Sequence, residues 1–275
     1  MSKIEKITDI PVIQGFVRMC KDAWLQGWHE RNGGNLTYRM TANDVDQCRV
    51  FFGQPGEWTA IGVSGENLAG EYFITTGSGK YFRNVELDTS ANIGIVEINE
   101  KGGSWRVVCG HENARPTSEF PTHLMSHAVR KKATNGRNRV IYHAHPANIV
   151  AMTYILPLTA KDFSLALWQS ETECPVVFPE GVGVVPWQVP GGTEIAAATA
   201  KIMERYSAAV WAHHGLFCSG ADFDETFGLM HTIEKAAEIY MKVISTGLPV
   251  RQTISSENLK AIAKEFGVTL NGEFL

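Results

Sequence analysis

The sequence predicts a single α/β domain in which α-helices cover both sides of a central β-sheet. Strand and turn patterns dominate residues 72–109, and helices then alternate with short strands in the second half of the chain. No internal repeat, low-complexity tract or proline-rich linker interrupts residues 1–275, so we expect one domain throughout. With 275 residues, 44% of them hydrophobic, the chain can bury a large apolar core without disulfide bonds or structural metals.

A long helix is predicted near the N-terminus, because Pro11 follows Asp9 and apolar residues then recur at helical spacing as far as Gly33-Gly34. These apolar residues are Ile13, Phe16, Val17, Cys20, Trp24 and Trp28. Residues 41–71 are Gly-rich and weakly periodic, which indicates a loop or hairpin without a functional role. A strand is predicted at residues 72–75, followed by a hairpin of residues 93–98 and 105–109.

Helix and strand signals alternate from residue 121 onward. Helices are predicted at residues 121–133, 146–156, 193–206, 223–246 and 256–266. Strands are predicted at residues 140–145, 176–178 and 208–213. Such an alternation places helices against the faces of a sheet.

Composition and charge argue against several classes of protein. The formal net charge is −4 at pH 7 and Lys and Arg are scattered, so we do not expect a basic face for nucleic acid. Charges at Lys3, Glu5, Lys6 and Asp9 interrupt any signal-peptide core, and no apolar run is long enough to span a membrane. The five cysteines are widely spaced and form no Cys-x-x-Cys pair, which favours buried thiols in a reducing cytoplasm.

The sharpest local signal is the pair His143 and His145, which lies on a predicted strand. Because alternate residues of a strand point to the same face, both imidazoles can approach one ion. Neutral imidazole is a preferred ligand of zinc and neighbouring transition metals, and catalytic zinc sites commonly use three protein ligands. A His-x-His pair alone is also common among structural histidines, so the metal interpretation needs a third ligand.

A second pair, His213 and His214, ends the predicted strand at residues 208–213. A turn at this position can direct one imidazole back toward His143 and His145. Only one of two adjacent side chains can point inward, and the strand pattern leaves both as candidates. The two clusters together favour a metal site with three histidine ligands.

The segment Pro116-Thr117-Ser118-Glu119-Phe120-Pro121 places two hydroxyls and a carboxylate just before a predicted helix. Backbone N–H groups and the helix dipole favour a bound anion at such a position, and Glu119 is a candidate base. The simpler interpretation is a helix cap, in which Ser118 bonds the first-turn amides and Glu119 complements the dipole. The chemistry of this segment alone favours the cap.

Two glycine-containing turns, Asn32-Gly33-Gly34-Asn35 and Thr76-Gly77-Ser78-Gly79-Lys80, can offer backbone amides and small polar side chains to a phosphate. The second turn does not match a nucleotide-binding loop, because Ile74 and Tyr81 stand where Gly and Ser or Thr are required. Either segment can also be an ordinary turn.

Taken in chain order, five segments resemble the class II aldolase and epimerase family of sugar phosphates. They are residues 32–35, 76–80, 116–119, 143–145 and 214–215, and they span nearly the whole chain. Residues 133–136 and 178–183 are similar to the aldolases of that family. The resemblance implies a central, mainly antiparallel β-sheet sandwiched between layers of α-helices, and a cyclic homotetramer with active sites at subunit interfaces.

The resemblance also implies roles for individual residues. It implies one Zn²⁺ per subunit, held by His143, His145 and His214, with Glu119 as the principal acid and base. Glu173 would reach the aldehyde end of a substrate bound to a neighbouring subunit. The implied contacts to the phosphate and dihydroxyacetone portion of a sugar phosphate are Asn32, Gly34, Asn35, Ser78, Gly79, Thr117 and Ser118.

The activity implied by the resemblance is a reversible, metal-dependent cleavage of a ketose 1-phosphate to dihydroxyacetone phosphate and L-lactaldehyde. A 4-epimerase of a pentulose phosphate is a first alternative, because it needs the same metal and phosphate sites. A metal-free interaction module of the same fold is a second alternative, in which the three histidines are structural remnants.

Overall fold

The computed structural model of the chain describes residues 5–63, 65–111 and 115–275, and within these ranges nine strands form one sheet. The strands are β1 (Asn35–Arg39), β2 (Thr59–Ala60), β3 (Tyr72–Thr76), β4 (Ile93–Ile98), β5 (Ser104–Gly110), β6 (Val140–Ala144), β7 (Gly183–Val185), β8 (Ala208–Trp211) and β9 (Gly215–Gly220). Their order across the sheet is β2-β5-β4-β3-β1-β6-β9-β8-β7. Neighbouring strands are antiparallel except β7 and β8, so the prediction of a mainly antiparallel central sheet is confirmed.

Helices occupy the segments between the strands and the C-terminal part of the chain. They are α1 (Pro11–Leu25), α2 (Ala42–Cys48), α3 (Thr89–Asn92), α4 (Phe120–Ala133), α5 (Ala147–Met152), α6 (Ala160–Trp168), α7 (Cys174–Val177), α8 (Thr193–Met203), α9 (Phe223–Ile244) and α10 (Ser256–Phe266). None in the described part of the chain is both long and apolar enough to cross a membrane.

Side chains alternate along the central strands between two helical layers. On β6, Val140 and Tyr142 join a core cluster that includes buried residues of α1, α5 and α9. Ile141 faces the opposite side, in a smaller cluster with residues of α8, and buried residues of α4 complete this layer beside β3 and β4. Because successive strand residues point to opposite faces, His143 lies on the same side as Ile141, beneath α4 and α8.

The first helix is shorter than its apolar pattern predicted. It ends at Leu25, and Gly27 follows with φ +78°, a left-handed conformation that stops the helix. Trp24, predicted to face the core, is 37% exposed. Trp28 is buried, but it lies in the loop after the helix, where its ring packs on Phe227.

Two other local predictions were wrong. Residues 176–178 were predicted as a strand, but α7 occupies Cys174–Val177, and the amides of Val177 and Phe178 bond helically to Glu173 and Cys174. Short apolar runs fit either structure, and a proline in the first turn favours the helix. The supposed loop at residues 41–71 contains α2, which Thr41 caps through a reciprocal bond with Asp44.

The central strands bring the predicted site residues to one end of the sheet. Asn35, at the start of β1, lies opposite His143 on β6, and His143 in turn lies opposite Phe217 on β9. The turn between β8 and β9 carries His214. Antiparallel pairing therefore places segments more than 70 residues apart beside one another.

Candidate active site

The three predicted metal ligands converge at this end of the sheet. One side-chain nitrogen from each of His143, His145 and His214 lies within 4.8 Å of the other two. The ring centroid of His143 is 5.0 Å from those of His145 and His214, and the latter two are 4.9 Å apart. His143 is held between strands and stacks on Phe217, so its ring position is determined by the core.

Hydrogen bonds leave the inner nitrogens of this cluster available. His143 Nδ1 donates to the carbonyl oxygen of Leu216 at 3.2 Å, so its Nε2 carries a lone pair when the ring is neutral. His145 Nδ1 donates to Glu30 Oε1 at 2.6 Å. Within the described residues, the buried Nε2 atoms of His143 and His145 have no hydrogen-bond partner. Buried polar atoms without partners are costly, and a divalent cation would satisfy both, so the donor set fits a metal ion.

The electrostatics of the cluster keep the imidazoles of His143 and His214 in the neutral form that binds a cation. Burial, together with the nearby His145, lowers the pKa of His214 to about 4 and holds the pKa of His143 well below its ordinary value. A histidine must be neutral to ligate a metal.

The adjacent histidine, His213, is directed away from the cluster. Its backbone adopts φ +60°, its Nδ1 lies 3.1 Å from Thr153 Oγ1, and its ring packs against that of Tyr154. Only His214 therefore faces the other two imidazoles. Gly215 allows this arrangement, because a Cβ there would approach Ala144 O to 2.3 Å and the His143 ring to 2.9 Å.

Glu119 lies beside the histidine cluster at the start of α4. Its Oε2 is 3.7 Å from His143 Nε2 and accepts a hydrogen bond from Asn35 Nδ2 at 2.8 Å. Burial raises the pKa of its carboxyl above the ordinary value, although the Asn35 hydrogen bond partly opposes this shift. A raised pKa brings a carboxylate nearer to the range of an effective base at neutral pH.

The helix-cap interpretation of residues 116–121 was wrong. No side chain caps the first amides of α4, and Glu119 itself is the N-cap residue. Glu119 N instead bonds to Thr117 Oγ1 at 3.3 Å, and the carboxylate turns toward the histidines. Ser118 is exposed and lines an open cleft.

This cleft contains the predicted phosphate contacts, with about 670 Å³ of space not filled by atoms, part of it open to solvent. The residues that line it are Asn32, Gly33, Gly34, Asn35, Gly77, Ser78, Gly79, Thr117, Ser118, Glu119, His145, Pro190, Gly191 and His214. Pro190 and Gly191 were not predicted. The sequence Pro190-Gly191-Gly192 signals a turn, but nothing in it indicates which site the turn borders.

The cleft offers several backbone N–H groups to an anion. Gly77 pairs with Pro116, which holds the turns at residues 76–80 and 116–119 side by side. The amides of Gly34, Gly79 and Ser118 have no acceptor in the part of the chain that the structure describes. Gly34 and Gly79 have φ values of +73° and +69°, a conformation that glycine adopts without strain.

Comparison with known proteins relates this site to others. A family model described as the class II aldolase and adducin N-terminal domain matches residues 14–241. The chain belongs to this family. It is 48% identical over 267 residues to the rhamnulose-1-phosphate aldolase of Escherichia coli O9:H4 (strain HS), a match that covers 97% of each chain. It is 46% identical, with the same coverage, to the rhamnulose-1-phosphate aldolase of Salmonella schwarzengrund (strain CVM19633).

Solved structures of class II aldolases share the fold. A sugar-phosphate aldolase from Thermotoga maritima superposes with a TM-score of 0.73 at 28% identity, covering 87% of this chain and 97% of the other. An L-fuculose 1-phosphate aldolase superposes with a TM-score of 0.60 at 23% identity, covering 93% and 96%, and shows likeness of fold alone.

Two residues that support the class II aldolase site were missed in the sequence. Glu30 orients the imidazole of His145, as carboxylates commonly do for metal-binding histidines. His29 donates from Nδ1 to the carbonyl of Gly33 at 2.8 Å and accepts from the hydroxyl of Tyr142 at 2.7 Å, which anchors the Gly33-Gly34 turn. Both residues stand just before the turn at residues 32–35, and this position in the sequence could have indicated that they support the site.

Glu173 does not line the cleft of its own chain. It is exposed at the N-cap of α7, two residues after Glu171. Its predicted role at an aldehyde requires a second subunit and therefore stays a prediction.

Proposed function

We propose that this chain is a zinc-dependent aldolase that reversibly cleaves L-rhamnulose 1-phosphate to dihydroxyacetone phosphate and L-lactaldehyde in rhamnose degradation. The choice of substrate is supported by relatives of that activity at 46–48% identity over nearly the full length. One observation carries the chemistry: three imidazoles converge beside a buried carboxylate in a cleft with free backbone amides.

His143, His145 and His214 would hold the metal ion, one per subunit. Zn²⁺ is favoured because catalytic zinc sites commonly combine three protein ligands with an open position, and neutral imidazole suits this ion. When bound, the ion supplies Lewis-acid stabilisation of the negative charge that develops on the substrate oxygens during cleavage. Glu30 keeps the His145 ring oriented for this purpose.

Glu119 would act as the acid and base of the reaction. Cleavage of the C3–C4 bond requires that a proton leave the C4 hydroxyl, and carbon–carbon bond formation in the reverse direction returns it. Glu119 is buried, its pKa is raised by burial, and its carboxylate lies at the edge of the cleft beside the histidine cluster. Asn35 Nδ2 donates a hydrogen bond to this carboxylate.

The phosphate and dihydroxyacetone portion would lie between the two glycine turns and the start of α4. The free amides of Gly34, Gly79 and Ser118 provide hydrogen-bond donors, and the N-terminus of α4 adds a favourable dipole. Asn32, Asn35, Ser78 and Thr117 contribute polar side chains around the same space.

We further propose a cytoplasmic homotetramer in which Glu173 of one subunit reaches the aldehyde end of a substrate on its neighbour. Four large apolar side chains are exposed on two segments of the chain, and a second subunit would cover them. These are Tyr154, Ile155, Trp187 and Val189, with exposed fractions of 71%, 48%, 61% and 69%. Trp187 and Val189 lie within three residues of the cleft residue Pro190.

Release of dihydroxyacetone phosphate from L-rhamnulose 1-phosphate by the purified protein tests the proposal, before and after chelation and with zinc restored. We expect release that chelation abolishes and zinc restores. Product analysis must show L-lactaldehyde as the second product. Recombination to an epimeric sugar phosphate instead would favour the 4-epimerase, and a protein that binds no zinc would favour the interaction module.

A further inference from the structure

A row of buried polar side chains runs from Glu119 into the layer between the sheet and α4. Asn35 Nδ2 donates to Glu119 Oε2, and the Oδ1 of the same amide contacts Nε2 of His123. His123 Nδ1 lies 2.8 Å from Thr37 Oγ1, and this hydroxyl lies 2.9 Å from Nε2 of His127. We call these five side chains the buried relay. It joins two residues of β1 to two residues of α4 and ends on the carboxylate of the cleft.

The chemistry of the groups permits one direction of donation along the buried relay when Glu119 is ionised. A carboxylate only accepts, so the Asn35 amide must present its NH₂ to Glu119 and its oxygen to His123. That oxygen only accepts, so His123 carries its proton on Nε2 and accepts at Nδ1 from the Thr37 hydroxyl. The oxygen of Thr37 then accepts from Nε2–H of His127.

Burial keeps the histidine rings of the buried relay neutral and fixed in orientation. Thr37 and His123 have no exposed surface, and His127 is 1% exposed. Burial lowers the pKa of His123 to about 3 and holds that of His127 well below its ordinary value, so both rings stay neutral at neutral pH. Phe217 packs against the ring of His123, and Phe73 packs against that of His127. Neither ring can turn without displacing the core.

We propose that Thr37 and His123 are positioning residues, which orient the Asn35 amide so that its NH₂ holds the Glu119 carboxylate against the cleft. The proposal rests on the proposed role of Glu119 in the aldolase reaction. An unsupported Asn35 amide can rotate by half a turn and present its oxygen to the carboxylate, which repels it. The carboxylate then loses the position from which it reaches the substrate proton.

Substitution of Thr37 tests this link, because three variants separate the hydroxyl from its surroundings. Thr37→Val removes the hydroxyl and keeps the shape, whereas Thr37→Ser keeps the hydroxyl. Thr75→Val is the matched control: Thr75 lies directly opposite Thr37 on β3, is equally buried, and donates only to the backbone carbonyl of Thr76. For each variant, kcat, KM, bound zinc and thermal stability are measured.

We expect Thr37→Val to lower kcat about tenfold, with KM and bound zinc within about twofold of the unmodified protein. Thr37→Ser and Thr75→Val should retain kcat within about threefold. A Thr37→Val protein with unchanged kcat overturns the proposal, and so does an equal loss in Thr75→Val.

A neutron crystal structure of the unmodified protein tests the buried relay without reference to activity. Deuterium on Nε2 of His123 and on Nε2 of His127 is the expected result, and deuterium on Nδ1 of His123 overturns the stated direction. If the unmodified protein shows the expected deuterium positions but has no aldolase activity, the proposed function is refuted. The direction of donation along the buried relay would still be correct. The two failures are therefore distinguishable.

Discussion

Replacement of Glu119 by Gln should separate metal binding from proton transfer. The substitution keeps the size of the side chain, and its amide oxygen can still accept from Asn35 Nδ2, now at 2.8 Å from the carboxylate. It removes the group that takes up a proton. The carboxylate is not part of the nitrogen cluster formed by His143, His145 and His214, so the ligand set remains complete.

The expected loss follows from the role assigned to the carboxylate. Positioned acid and base groups contribute about 10²- to 10⁴-fold to turnover, which corresponds to about 2.7–5.5 kcal/mol of transition-state stabilisation. The burial of Glu119 argues for the upper part of this range, since water has little access to replace it. Bound zinc should stay near one ion per chain.

Release of dihydroxyacetone phosphate, followed by a coupled dehydrogenase, measures kcat and KM, and elemental analysis measures the bound metal. His214→Ala is the matched variant, because it removes one ligand from a partly exposed position and should lose the metal together with the activity. Turnover of Glu119→Gln within threefold of the unmodified enzyme would refute the reasoning. Equal loss of metal in the two variants would also refute it.

Three further predictions follow from the surroundings of the site. Glu30→Gln should weaken zinc binding about tenfold in a chelator competition, because a neutral amide supports the attached metal ligand less well, and unchanged affinity would contradict this role. Gly34→Ala should lower activity and destabilise the protein by about 1–3 kcal/mol, since its Cβ would lie 2.5 Å from His29 Nδ1. Gly27→Ala, at a similar φ of +78° but in open space, should retain activity, and an equal loss would point to backbone strain alone. Acid should destabilise the protein: burial lowers the pKa of His123 from 6.5 to about 3, so only the unfolded chain takes up its proton as the pH falls below 6.5. The contribution of His123 to the free energy of unfolding is complete above pH 6.5 and falls by about 2 kcal/mol by pH 5. Urea unfolding at pH 7.5 and 5.0 would detect this loss.

The two local periodicities of the chain predicted much of its framework. The hairpin of β4 and β5, the strand that carries His143 and the helix at residues 256–266 appear where alternation or helical spacing placed them. These elements are long enough for the pattern to repeat, so their own side chains determine their structure. The short segments α2 and α7 were misassigned, because four to seven residues do not distinguish one period from another.

The chemistry of the site was visible in the sequence as separate motifs. Period-two spacing predicted that His143 and His145 share one face of a strand, although β6 ends at Ala144, and glycine turns indicated segments able to bind an anion. The resemblance to class II aldolases indicated that these separate motifs form one active site. The choice between a helix cap and a base for Glu119 could not be made locally, since both interpretations use the same residues.

Only the tertiary structure decided which groups meet. It directs His214 inward while His213 packs on Thr153 and Tyr154, and it turns Glu119 toward the histidines. Glu30 reaches the ring of His145 across 115 residues of chain. Contacts between residues so far apart in the sequence depend on the order and register of the strands. No local sequence pattern specifies that order and register. The sequence therefore determined which chemistry is available, and the packing of β1, β6, β9 and α4 determined where it is brought together.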